Sequence, residues 1–129
     1  MTEKRVSPNE LKPGPIRHEQ LPTTLLARIE YLRSTLEEVY PLSMAEWLDG
    51  FQRDANPERE VLWWERLARC YVEYSSRNEL NPEQRKATFN VICKLGLGAS
   101  AGELAADFAI LPTGALDDIQ ALIRSYAGA

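Results

Sequence analysis

Apolar residues recur along this chain at spacings of three and four, the period of a helix buried along one side. Leu25, Ile29, Leu32, Leu36 and Val39 form the first such stripe, widened by Leu26 and Tyr40. It predicts a helix from about Thr24 to Tyr40, stopped by Pro41. Arg33 and Glu37 lie four apart on its wet side, where they can pair weakly. A second, shorter helix is expected from Ser43 to Arg53, with Trp47, Leu48 and Phe51 as its apolar face. Its start is well marked: Ser43 and Glu46 form a capping box, in which each side chain bonds the other's backbone N–H. Leu42 and Trp47 form the matching hydrophobic staple.

The tripeptide Asn-Pro-Glu occurs twice, at Asn56-Pro57-Glu58 and Asn81-Pro82-Glu83. Asparagine is a favoured N-cap. Proline fits the first helical position, where its missing N–H costs nothing. Glutamate in the first turn meets the positive end of the helix dipole. Both tripeptides therefore read as helix starts, and Gln84 adds a capping-box partner at the second. The similarity does not continue past the cap, which argues against an internal duplication.

The third helix, from about Pro57 to Arg77, is expected to be the centre of the protein. Val61, Trp63, Trp64, Leu67, Ala68, Cys70, Tyr71, Val72 and Tyr74 spread over roughly 200° of its wheel, twice the width of an ordinary surface helix. Such a helix must be packed on two sides. Glu58, Glu65, Arg69, Glu73 and Ser76 share the remaining arc, and Leu62 falls inside it. A fourth helix runs from about Pro82 to Leu95, with Phe89, Val91, Ile92, Cys93 and Leu95 as its apolar residues. Gly96 reads as its C-cap, with Leu97 folding back on the last turn. Ser100 and Glu103 mark a short fifth helix containing Leu104, Ala105, Phe108 and Ala109. After the break at Leu111-Pro112-Thr113-Gly114 comes a sixth, with Leu116, Ile119, Ile123 and Tyr126 on one stripe. No segment alternates with period two. The expected fold is all-α: a single domain over residues 22–129, built of about six helices around a central third helix. Residues 1–21 differ from the rest. Pro8, Pro13, Gly14, Pro15 and Pro22 interrupt any period, so an extended arm is expected there, with Val6, Leu11 and Ile16 able to lie along the body.

Composition narrows the function more by exclusion than by assignment. The 129 residues carry a net charge of −4 and a hydrophobic share of 44%, as in an ordinary globular protein of one domain. The acidic balance argues against a general nucleic-acid binder, which usually shows a basic excess. No apolar run is long enough to span a bilayer, and no secretory leader is seen at the start, so a cytoplasmic setting is expected. Cys70 and Cys93 are too few for a disulfide framework and read as two thiols in helices. The one histidine, His18, lies in the arm, which argues against a His-based triad or a multi-His metal site. There is no Cys-x-x-Cys, no Glu-x-x-His and no phosphate-cradling loop. Glu37-Glu38 and Asp117-Asp118 are adjacent on helices, point about 100° apart and do not converge on one substrate. No enzyme activity, cofactor or metal is expected.

The stretch from Ser100 to Tyr126 resembles a helix-turn-helix of the DNA-binding kind. Glu103-Leu104-Ala105 matches the start of its first helix, and Leu116 and Ile119 take core positions of its second. The resemblance implies a DNA-binding regulator acting through residues 100–126. Ala109 stands at the small turn position, and Pro112-Thr113-Gly114 lengthens the turn. Asp117 and Asp118 occupy the first turn of the second helix, where that motif meets bases and phosphates, and only Arg124 answers them. A plain αα-hairpin is the preferred reading.

Two readings remain beside the regulator. Trp47, Trp63, Trp64, Tyr71, Tyr74 and Phe89 can be core, or can line a pocket for an apolar small molecule. The preferred one is a non-enzymatic protein-interaction module, such as an adaptor, an inhibitor or an immunity-type protein. Leu62 in a charged arc, the acidic balance and the peptide-like arm motivate it. The expected partner-binding face is Glu58, Leu62, Glu65, Arg66, Arg69 and Glu73, with a basic protein as partner. An exposed stripe on the first helix would also suit a homodimer.

Overall fold

A computed structural model describes residues 21–50 and 56–127, and all of its regular structure is helical. The arm expected over residues 1–21 falls outside this range except for Leu21, as do Phe51 and the expected end of the second helix. The helices are α1 (Thr23–Leu36), α2 (Met44–Gly50), α3 (Pro57–Arg77), α4 (Pro82–Gly96), α5 (Ala105–Ala109) and α6 (Ala115–Ala127). A 3-10 turn, Ala101–Leu104, leads into α5. Helix α3 is central and packs against α1, α4 and α6, while α5 rests on α4.

The helix starts follow the polar signals in the sequence. At α2 the Ser43 N–H donates to Glu46 Oε1 (2.9 Å), and the Glu46 N–H donates to Ser43 Oγ (3.2 Å). At α3 the Glu58 N–H donates to Asn56 Oδ1 at 2.9 Å. At α4 Asn81 and Gln84 close a full capping box, with bonds of 2.8 and 2.9 Å. Gln84 also donates from Nε2 to the Ile110 carbonyl, tying the start of α4 to the end of α5.

Three details differ from the expected elements. Helix α1 ends at Leu36, and residues 37–40 continue as a turn in which the Tyr40 N–H bonds the Leu36 carbonyl at 2.7 Å. Gly96 is the last helical residue of α4, and the left-handed position falls on Gly98 (φ 96°). The Ala99 N–H bonds the Lys94 carbonyl and the Gly98 N–H bonds that of Leu95, which is a Schellman ending. Leu97 does not fold back on the helix; it is 67% exposed.

The core is continuous. Leu25, Ile29, Leu32 and Leu36 of α1 meet Val61, Trp64, Leu67, Ala68 and Tyr71 of α3, with Phe89, Val91 and Ile92 of α4 alongside. Helix α6 contributes Ala115, Ile119 and Leu122, while Leu116, Ile123 and Tyr126 are only half-buried. Its buried stripe is thus rotated from the expected one. On α3 one position reverses the expected assignment: Val72, counted with the apolar arc, is 44% exposed. Glu60, which the sequence reading left unassigned, is buried, with its carboxylate accepting from Trp64 Nε1 at 3.2 Å.

Candidate functional site

A strip of α3 stays open between side chains of α1 and α6 as the floor of a groove. The groove has a volume of about 530 Å³. Glu65, Ala68, Arg69, Val72, Glu73 and Ser76 form the floor, Tyr31 and Leu32 of α1 one wall, and Tyr126 of α6 the other. The floor residues recur at helical spacing, so one face of one helix presents them all.

Of the residues expected to form a partner-binding face, this groove brings together Glu65, Arg69 and Glu73. Glu58 and Leu62 lie on the same strip nearer the start of α3, both exposed. Arg66 does not line the groove. It lines a separate hollow of about 180 Å³ with Trp63, Leu67, Cys70 and Ile123.

The two carboxylates of the groove are already engaged. Glu65 accepts a two-pronged bond from Arg28 of α1, with Nε at 2.9 Å and the terminal nitrogen at 2.7 Å. That contact holds the Arg28 guanidinium above its ordinary pKa. Glu73 accepts from the Tyr126 hydroxyl at 2.6 Å and from Arg77. The Tyr126 hydrogen bond, and after it the Arg77 contact, lower the Glu73 carboxyl's pKa, and the same bond raises that of the Tyr126 phenol. Arg69 is exposed and makes no ion pair among the described residues. The apolar side chains exposed around it are Tyr31 (63%), Val72 (44%) and, one to two turns away, Leu62 (43%). Sequence periodicity already singles out Leu62, which sits in a polar arc. It could not have found Tyr31 and Tyr126, which reach the groove only through tertiary packing, or Arg28, which pairs with Glu65 of its floor.

On another flank of α3 the aromatic residues gather. Trp64 is the hub. Its ring centroid lies 5.0 Å from Trp47, 5.3 Å from Trp63, 5.4 Å from Tyr40 and 6.5 Å from Phe89. Tyr71 meets Phe89 edge-on at 5.9 Å. Most of these rings are core, but part of the cluster is open, beneath a hollow of about 550 Å³ between α2, α3 and α4. Tyr40, which the sequence reading assigned only to the α1 stripe, belongs to this cluster, whereas Tyr74 is buried outside the hollow. Cys93 lines it half-buried. Cys70 is buried, and desolvation pushes its thiol pKa up to about 11.

The hairpin of α5 and α6 turns through Gly114, whose φ of 86° is reached most easily without a side chain. Helix α6 buries Ala115, Ile119 and Leu122, and turns Asp117, Asp118, Ala121, Arg124 and Ser125 outward. Its outer face thus carries two carboxylates and one guanidinium. Among the described residues no three His, Cys, Asp or Glu side chains gather closely enough to hold a metal ion, and no helix is long and apolar enough to cross a membrane. No protein-family model, curated protein or solved structure matches the chain.

Proposed function

We propose that this protein is a non-enzymatic interaction module whose groove between α1, α3 and α6 receives an amphipathic helix of a partner protein. One observation carries the reading: exposed apolar side chains from two helices, Tyr31 and Val72, flank Arg69, which makes no ion pair among the described residues, in a single concave site. Laying the apolar face of a helix into such a groove is a common mode of recognition. Glu65 and Glu73 are held by Arg28, Tyr126 and Arg77, so their charge is largely answered within the chain. For this reason the partner helix is proposed to bring apolar residues and a carboxylate for Arg69, in place of the basic character expected from overall charge.

Charge reversal at Glu65 or Glu73 would also cut the ties between helices, so the informative substitutions are Arg69→Glu and Val72→Asp. Both sites are exposed, and helix content and melting temperature should stay near wild type. A partner captured by the wild-type protein should bind each variant at least tenfold more weakly. A captured partner that binds both variants with unchanged affinity removes the groove from consideration.

A further inference from the structure

The hollow over the aromatic cluster is independent of the groove and has a different chemistry. Its floor is made by Tyr40, Trp63, Trp64 and Phe89. Its volume of about 550 Å³ lies within the usual range for small-molecule sites, which are concave, mostly apolar and supplied with a few polar groups. Those groups here are unevenly charged. Lys86 and Lys94, eight residues apart on one face of α4, stand about 12 Å apart along the helix axis. Neither makes an ion pair among the described residues, although Lys86 is within electrostatic reach of Glu38, which Arg85 already holds at 2.8 Å. Asp49 at the end of α2 is the opposing carboxylate on the rim, and Asn90 is occupied with Asp107 at 2.7 Å. The mouth therefore carries two cations and one anion, in a chain whose net charge is −4.

We propose that this hollow binds a flat aromatic molecule bearing a carboxylate. The ring lies against the open part of the cluster, where aromatic faces and edges favour stacked or edge-on partners. The carboxylate reaches the ammonium of Lys86 or Lys94, and the attraction strengthens as the ring excludes water from the mouth.

The test uses 2-naphthylacetate and its neutral analogue 2-naphthylacetamide, titrated into the full chain by calorimetry. The alkylation rate of Cys93 by iodoacetamide provides a second readout, since that thiol lines the hollow. The acid should bind at least tenfold more tightly than the amide and should slow alkylation of Cys93. Lys86→Gln or Lys94→Gln should remove most of that tenfold advantage while leaving amide binding unchanged. Equal binding of acid and amide overturns the proposal. So does an advantage that survives the double Lys86→Gln/Lys94→Gln variant, or the absence of any binding at millimolar concentration.

Discussion

The two flanks of α3 are built on opposite principles. Where α3 meets α2 and α4, contact is ring against ring, with Trp64 touching Trp47, Trp63, Tyr40 and Phe89. Where it faces the groove, the ties are polar and partly wet: Arg28 to Glu65, and Tyr126 to Glu73. Burial of rings is a large contribution that salt and mild pH changes leave alone. Exposed ion pairs contribute little, and both salt and acid weaken them. The ring flank carries a large share of the stability. The polar ties at the groove add a small increment to the apolar packing that already seats Ile29 and Leu32 of α1 and Ile119 and Leu122 of α6 in the core with α3.

The largest effect should come from the ring flank. Trp64→Ala leaves a cavity at the hub and should cost about 3–5 kcal/mol, measured by urea unfolding. A loss below 1 kcal/mol would mean that the cluster does not act as a unit. Arg28→Ala cuts the tie between α1 and α3. With side chains 43% and 19% exposed, the pair should contribute only about 0.2–1 kcal/mol. The difference from wild type should shrink at 1 M salt, where screening acts over about 3 Å; a salt-independent loss would place the pair among buried interactions.

The subtlest effect concerns acid. Glu73 titrates in the folded protein below its ordinary 4.5, so its contribution is complete above that pH and is lost as pH falls through the lowered folded value. Tyr126→Phe removes the leading cause of the shift. The Glu73 side-chain carbon resonance should then titrate closer to 4.5, and amides at the end of α6 should exchange faster at neutral pH. Identical titration curves in variant and wild type would break the link between Glu73 and α6.

The contrast also explains what was legible in the sequence. The helix starts at Ser43, Asn56 and Asn81 were readable because a cap and its partner lie within three residues, so local spacing carries the signal. The breadth of α3's apolar surface correctly required more than one packing partner. Val72 was misplaced because a helical wheel ranks residue types, whereas exposure depends on which neighbours arrive; it lines the open groove together with Tyr31 of α1 and Tyr126 of α6. The Arg28–Glu65 and Tyr126–Glu73 ties join residues 37 and 53 positions apart, with no periodicity to announce them. Half of the expected face therefore reached the groove, while its walls came from helices the sequence could not orient.

The two Asn-Pro-Glu starts have a kinetic consequence. Helices α3 and α4 each carry their own cap and are separated only by residues 78–81, so they can pair after closing a short loop. Docking α6 onto α3 closes a loop of roughly 40 residues and loses more chain entropy before any contact forms. The α3–α4 hairpin should therefore be formed in the folding transition state, with α6 arriving after it. Phe89→Leu should slow folding with a φ-value above about 0.5, while Ile119→Val should mainly speed unfolding, with φ below about 0.3. On that order of events, the surface offered to a partner is assembled last, on a scaffold that has already committed to its shape.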